Sequence, residues 1–188
     1  MPGTIMQVLA GGFYLLNKIF LFLSESNKIR KRFWRINAWS VYLLGLPFWT
    51  YIFLSERNWI AAALELGGAP AMVMGLVYSV RKEQKSLRWL DHICIIAIVL
   101  GLGYSLYDFG GIVVINQYLE LGTVTGFLIG TYMLAKEKPG GYLWFLIMNV
   151  SNAALMAIQD YYWLSVQQMI SFCFVLSAYI SVKRTVSK

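Results

Sequence analysis

The sequence predicts an all-α integral membrane protein: seven transmembrane helices in a 3+1+3 arrangement, two parallel three-helix bundles with a linker helix between them. Three observations predict it. Hydrophobic residues make up 59% of the chain and charged residues 13%, with a mean hydropathy of +0.60, which excludes an ordinary soluble domain. Of the sixteen Lys and Arg, fourteen sit in four short stretches that each close an apolar segment. Trp and Tyr cluster where the apolar segments should meet lipid headgroups.

The basic stretches run from Lys28 to Arg35, from Arg81 to Arg88, over Lys136 and Lys138, and from Lys183 to Lys188. The alternate turns carry Glu56 with Arg57, Asp108, and Asp160. Short cytoplasmic loops collect Lys and Arg, so the alternation predicts an outside N-terminus and a cytoplasmic C-terminus. Orientation thus accounts for the net charge of +7, and no nucleic-acid partner is expected.

A span needs about 20 mostly apolar residues. The first is expected at about 4–24. Asn17 and Lys18 interrupt it, and Lys18 is close enough to the cytoplasmic end to snorkel. Without a basic n-region or an A-x-A site, it reads as a retained helix. The second, at about 34–54, contains Pro47, and the third, at about 58–80, contains Gly67-Gly68-Ala69-Pro70. Either proline marks a static kink or a hinge. The fourth, at about 89–108, has Asp91 and His92 at its inner end as an interfacial polar pair. The fifth, sixth and seventh are expected at about 111–135, 141–159 and 161–182. Cys94 and Cys173 lie in apolar segments as small buried hydrophobes. The inner aromatic belt is Trp34, Trp89, Tyr142 and Trp144, and the outer belt is Trp59, Tyr104, Tyr107, Tyr161, Tyr162 and Trp163.

These spans divide the chain into a first bundle over 1–83, a linker helix over 84–110 and a second bundle over 111–188. Parallel repeats of this kind are a recurring transporter plan. Arg57-Asn58-Trp59 opening helix 3 and Tyr161-Tyr162-Trp163 opening helix 7 support the correspondence. A competing match, Glu65-Leu66-Gly67 with Glu120-Leu121-Gly122, pairs helix 3 with helix 5 and reflects a shared packing demand.

Small residues four apart let helix backbones approach in lipid, and Gly67-Ala71-Gly75 and Gly122-Gly126-Gly130 form two such ridges. Glu65 and Glu120 each lie roughly 12–14 Å from the outer end of their helix at 1.5 Å per residue. A charge at the bilayer centre costs at least about 2.5–3.5 kcal/mol, so such residues face the bundle interior, pair or stay protonated. Gln168, with Gln167 beside it, lies at similar depth, and Asn149 and Asn152 share one face of helix 6 near the midplane. Together they suggest a polar cavity; interhelical hydrogen bonding that glues the bundle is the alternative. No metal-ligand spacing, nucleophile–base pair or phosphate loop is present, so neither a cofactor nor an enzyme is expected. A retinal protein would need a lysine midway along helix 7, which has none before Lys183.

From Gly130 onward the chain resembles the PnuC family of bacterial vitamin transporters, whose best-known members carry nicotinamide riboside. The resemblance rests on Leu134-Ala135-Lys136-Glu137-Lys138, Trp144 with Asn149, Asp160-Tyr161-Tyr162-Trp163, and Ala178-Tyr179 before Lys183-Arg184. It implies a fold similar to the SWEET transporters, a bacterial inner-membrane location, and facilitated diffusion of a vitamin that a cytoplasmic kinase traps. It also implies substrate contacts from Trp144, Asn149, Asn152 and Gln168. Thiamine, riboflavin or another ring compound fits the same reading, and a cationic ring would give Glu65 or Glu120 a partner. The expected partners are therefore a small vitamin or nucleoside and the lipid bilayer, with a homo-oligomer left open. The alternatives are a SWEET-like sugar transporter and a non-transporting membrane scaffold or accessory subunit.

Overall fold

The computed structural model describes residues 4–81 and 88–186. Lys82, Lys85 and Lys188 lie outside it, as do the side chains of Arg88, Asp91 and Cys94. Seven helices follow one another: α1 (Thr4–Ser26), α2 (Lys31–Ser55), α3 (Trp59–Arg81), α4 (Arg88–Phe109), α5 (Ile115–Ala135), α6 (Gly141–Ile158) and α7 (Tyr162–Val186). No strand occurs among the described residues. By length and composition, α1, α2, α3, α6 and α7 are apolar enough to cross a membrane. α5 is more polar, with Gln117, Glu120, Thr123 and Thr131 all buried. The helices run unbroken through Pro47 and Pro70.

The fifth helix begins four residues later than expected. Gly110 (φ 71°) and Gly111 (φ 132°) take left-handed conformations that favour glycine and end α4. The Gln117 side chain then accepts from Val113 N–H (3.0 Å) and donates to the Gly111 carbonyl (3.0 Å), so this turn replaces the first helical turn.

α1 packs on α2, α2 on α3, α3 on α5, α5 on α6, α6 on α7, and α7 back on α1. Six helices thus close a ring, and α4 docks outside it against α3. The interior is aromatic. Tyr42 is its hub, with its ring meeting Tyr14 at 4.7 Å, Phe127 at 5.9 Å, and Trp39 and Phe145 at 6.3 Å between centroids. Leu44, Leu66, Val73, Ile147, Val150 and Val166 are exposed on the outer surface, a distribution that suits lipid rather than water.

The glycines set the helix separations. A Cβ on Gly126 would lie 2.6 Å from the Trp144 carbonyl oxygen and from the Met148 nitrogen, both backbone atoms of α6. On Gly75 it would strike the Trp39 indole at 2.4 Å, and on Gly68 the Phe127 ring at 2.0 Å. The expected Gly122-Gly126-Gly130 ridge is therefore a contact line along α6, while of the first ridge Gly75 meets α2.

Two turns fasten one end of the ring. α2 and α6 finish the same way, with Arg57 (φ 57°) and Asp160 (φ 62°) in the left-handed region. Asn58 N–H reaches back to the Phe53 carbonyl and Tyr161 N–H to that of Met156, both at Schellman spacing. The turns then bond each other reciprocally. The Asn58 and Gln159 amides exchange two hydrogen bonds (3.0 and 2.9 Å), and the Tyr161 hydroxyl donates to Glu56. Burial, and then the Glu56 carboxylate, push the Tyr161 pKa above its ordinary value, so the phenol remains the donor. Tyr142 is likewise buried and donates to Glu25 (3.0 Å). Both tyrosines are buried rather than turned outward, because each satisfies a carboxylate on a neighbouring element. Cys173, expected to be buried, is exposed on α7, since that helix turns Ser171, Val175 and Ala178 inward.

Asn58 and Tyr161 are 103 residues apart, and the same step relates the buried faces of these helix pairs. Trp39, Tyr42, Leu46 and Trp49 of α2 step to Tyr142, Phe145, Asn149 and Asn152 of α6, all buried. Ala61, Glu65, Gly68, Met72 and Gly75 of α3 step to Leu164, Gln168, Ser171, Val175 and Ala178 of α7, again all buried.

Candidate functional site inside the helix ring

The buried polar residues of the ring fall into two groups by what they touch. In the first, every contact is structural. Asn17 donates to the Ala38 carbonyl (2.9 Å) and Trp49 to that of Ala10 (2.9 Å), tying α1 to α2. Glu120 accepts from Ile60 N–H (3.1 Å) and Ala61 N–H (3.2 Å), the first-turn donors of α3. A carboxylate there satisfies two orphan N–H groups and meets the positive end of the helix dipole. Its other oxygen has no protein partner.

In the second group the partners are missing. Asn149 is fully buried, and neither its Oδ1 nor its Nδ2 meets a protein hydrogen-bonding group. Asn152 Oδ1 and Gln168 Nε2 are also unpartnered and buried. Asn149 lies eight residues into α6, roughly 12 Å along the axis at 1.5 Å per residue. Phe145, Asn149, Asn152 and Met156 follow at intervals of four, three and four, so one inward face carries them all. On α7, Leu164, Gln168 and Ser171 form the corresponding stripe. Unsatisfied amides of this kind are rare in folded interiors.

One turn from Asn149 lies a charged centre that the sequence reading did not foresee. Lys18 is 1% exposed, with Nζ 3.8 Å from the Phe145 ring centroid and 4.4 Å from that of Tyr42. It donates to Asn17 Oδ1 (3.0 Å). Lys18 does not snorkel, because α1 turns it with Tyr14 and Asn17 into the ring, where two aromatic faces receive the ammonium. Tyr14, one turn earlier, donates to the Glu65 carboxylate. The signal was available: Tyr14, Asn17 and Lys18 stand at i, i+3 and i+4 in an otherwise apolar helix.

The structure therefore gathers Asn149, Asn152, Gln168 and Glu65 on inward faces, with Lys18, Tyr14 and Tyr42 added. Glu120 is held at the start of α3. Trp144 is half-buried and does not join the group: it lies five residues before Asn149, which turns it about 140° away at 100° per residue. Neither Trp144 nor Asn149 is in the wall of any described cavity.

A second cluster sits at the basic end. Glu25 accepts from Lys31 (3.1 Å) and Arg35 (3.0 Å), and Arg35 also reaches Glu137 (2.6 Å). This ties the end of α1 to α2 and to the turn after α5. Among the described residues, no three His, Cys, Asp or Glu side chains gather as a metal site. Comparison with known proteins finds no matching family model, curated protein or solved structure.

Proposed function

We propose that this chain is a multi-pass membrane transporter that carries a small vitamin or nucleoside-like solute, of the nicotinamide riboside type, by facilitated diffusion with alternating access. The observation that carries the reading is Asn149, which is fully buried with both amide atoms unpartnered. Glue between helices would leave such an amide bonded, whereas a solute site leaves it waiting for its ligand. Asn152 and Gln168 extend the same face chemistry.

The correspondence between α2–α3 and α6–α7 supports a 3+1+3 plan with parallel halves and α4 as linker. The reciprocal bonds between the Glu56–Asn58 and Gln159–Tyr161 turns are what a pseudo-two-fold axis along the membrane normal would produce. Within this plan the basic turns face the cytoplasm and the paired turns face outside. The resemblance of the stretch from Gly130 onward to the PnuC family supports the same reading, and no catalytic chemistry is assigned to the chain.

The packed aromatic interior favours a second reading, a membrane scaffold, because the described cavities do not reach Asn149. Ligand-dependent stabilisation separates the two. Purified protein screened against B-vitamins and their nucleosides should gain melting temperature with one of them. Asn149→Ala and Asn152→Ala should lose that gain, with affinity falling about tenfold for a lost bond of roughly 0.5–1.5 kcal/mol. Liposomes containing only this protein should equilibrate that solute and never concentrate it. A wild type that no such compound stabilises, with Asn variants that simply unfold earlier, would establish the scaffold.

A further inference from the structure

At the basic end, a cavity of about 510 Å³ opens between the start of α2, the end of α3 and the end of α5. Lys28, Lys31, Arg32 and Arg35 stand in its wall, with Glu137 the acid among them. Glu25 lies behind, on Lys31 and Arg35. Four positive charges against two negative ones leave two uncompensated among the described residues.

The two guanidinium groups are held in place. Arg32 donates to the Ser79 and Val80 carbonyls, neutral acceptors that fix the guanidinium without cancelling its charge. Lys28 makes no ion pair among the described residues. Arg35 is only 6% exposed, and its Nε is buried without an acceptor. The first turn of α2 opens at the same place, and its N-cap residue Arg30 offers no side-chain acceptor.

We infer that this cavity is a binding site for a phosphate group, best matched by a monoester carrying two negative charges. Guanidinium groups suit tetrahedral oxyanions through paired N–H donors. A helix N-terminus adds oriented backbone donors and the positive end of a dipole. The volume exceeds what a bare phosphate needs, which leaves room for the group esterified to it. The ester is either a soluble phosphorylated metabolite or the headgroup of a monoester phospholipid.

The test uses full-length protein in uncharged detergent. Inorganic phosphate is titrated against sodium chloride at matched ionic strength, and in parallel phosphatidic acid is titrated against phosphatidylcholine. The expected result is a melting temperature that rises with phosphate, or with phosphatidic acid, beyond its control. Lys28→Gln and Lys31→Gln, both at exposed or half-exposed positions, should weaken the half-saturating concentration about tenfold each, as expected for a lost charge-assisted contact. The melting temperature of Lys28→Gln in chloride should stay near wild type, because Lys28 makes no ion pair among the described residues, which separates lost binding from lost folding. A response to inorganic phosphate identifies a soluble ester, and a response to phosphatidic acid alone identifies a lipid. No response above either control, or a response that both variants retain, overturns the site.

Discussion

Glu120 and Asn149 are both fully buried on inward helix faces, yet they differ in what they touch. Glu120 holds two N–H groups at the start of α3. Glu120→Ala should therefore lower stability by about 1.5–3 kcal/mol, the usual scale for hydrogen bonds to a charged group. Glu120→Gln, which keeps an acceptor oxygen, should recover part of it. Asn149 bonds nothing in the protein, and a buried unsatisfied group costs about 1–3 kcal/mol. Asn149→Leu, similar in volume, should leave the solute-free protein as stable as wild type or more so while abolishing solute binding. Thermal unfolding in detergent measures both variants, and a large loss of stability in Asn149→Leu would mean the amide has partners after all. The depth of Asn149 was legible in the sequence because depth follows from helix register. Glu120 instead lies only five residues into α5, roughly 7.5 Å at 1.5 Å per residue, since that helix starts at Ile115 rather than 111. The partners of these residues were not legible, since Glu120 bonds the backbone of a helix sixty residues earlier. Lys18 was misjudged for a related reason: distance from a helix end says nothing of which way the side chain turns.

At the scale of elements, hydropathy and charge placed all seven helices to within a few residues. The start of α5 and the end of α7 each lie four residues off; at α5, Gly110, Gly111 and Gln117 build a turn from local hydrogen bonds that hydropathy does not register. Small-residue spacing also predicted close helix contact, and the contacts make it testable. Gly126→Ala places a methyl group against α6 backbone, which cannot swing aside as a side chain can. The expected loss is about 1–3 kcal/mol, the range for overpacking. Gly12→Ala on α1 meets nothing within 4 Å and should cost nothing. Equal melting temperatures for the two variants would show that α5 and α6 can separate freely. What spacing does not reveal is the partner helix: the Gly122 ridge lies on α6, whereas Gly75 meets Trp39 of α2.

For the whole molecule, the two bonded turns are the feature that the proposed alternating access would have to release. Asn58→Cys with Gln159→Cys, in a chain whose native Cys94 and Cys173 are replaced by serine, should cross-link with a short cleavable bifunctional thiol reagent. Solute exchange across liposomes should stop on cross-linking and return on cleavage. Exchange that continues in the cross-linked protein would mean that this end does not open. The correspondence of α2–α3 with α6–α7 was faintly legible in the aromatic openings of helices 3 and 7. The consistent step of 103 emerged only from burial, because position rather than residue type is repeated: Glu65 corresponds to Gln168, and Leu46 to Asn149. The ring closes without α4, which touches α3 and stands outside. A unit of three crossings finishes on the opposite face of a bilayer from where it began, so a second copy inserted in the same sense needs one more passage. In the proposed topology α4 provides that passage, and parity rather than packing explains why the helix is there.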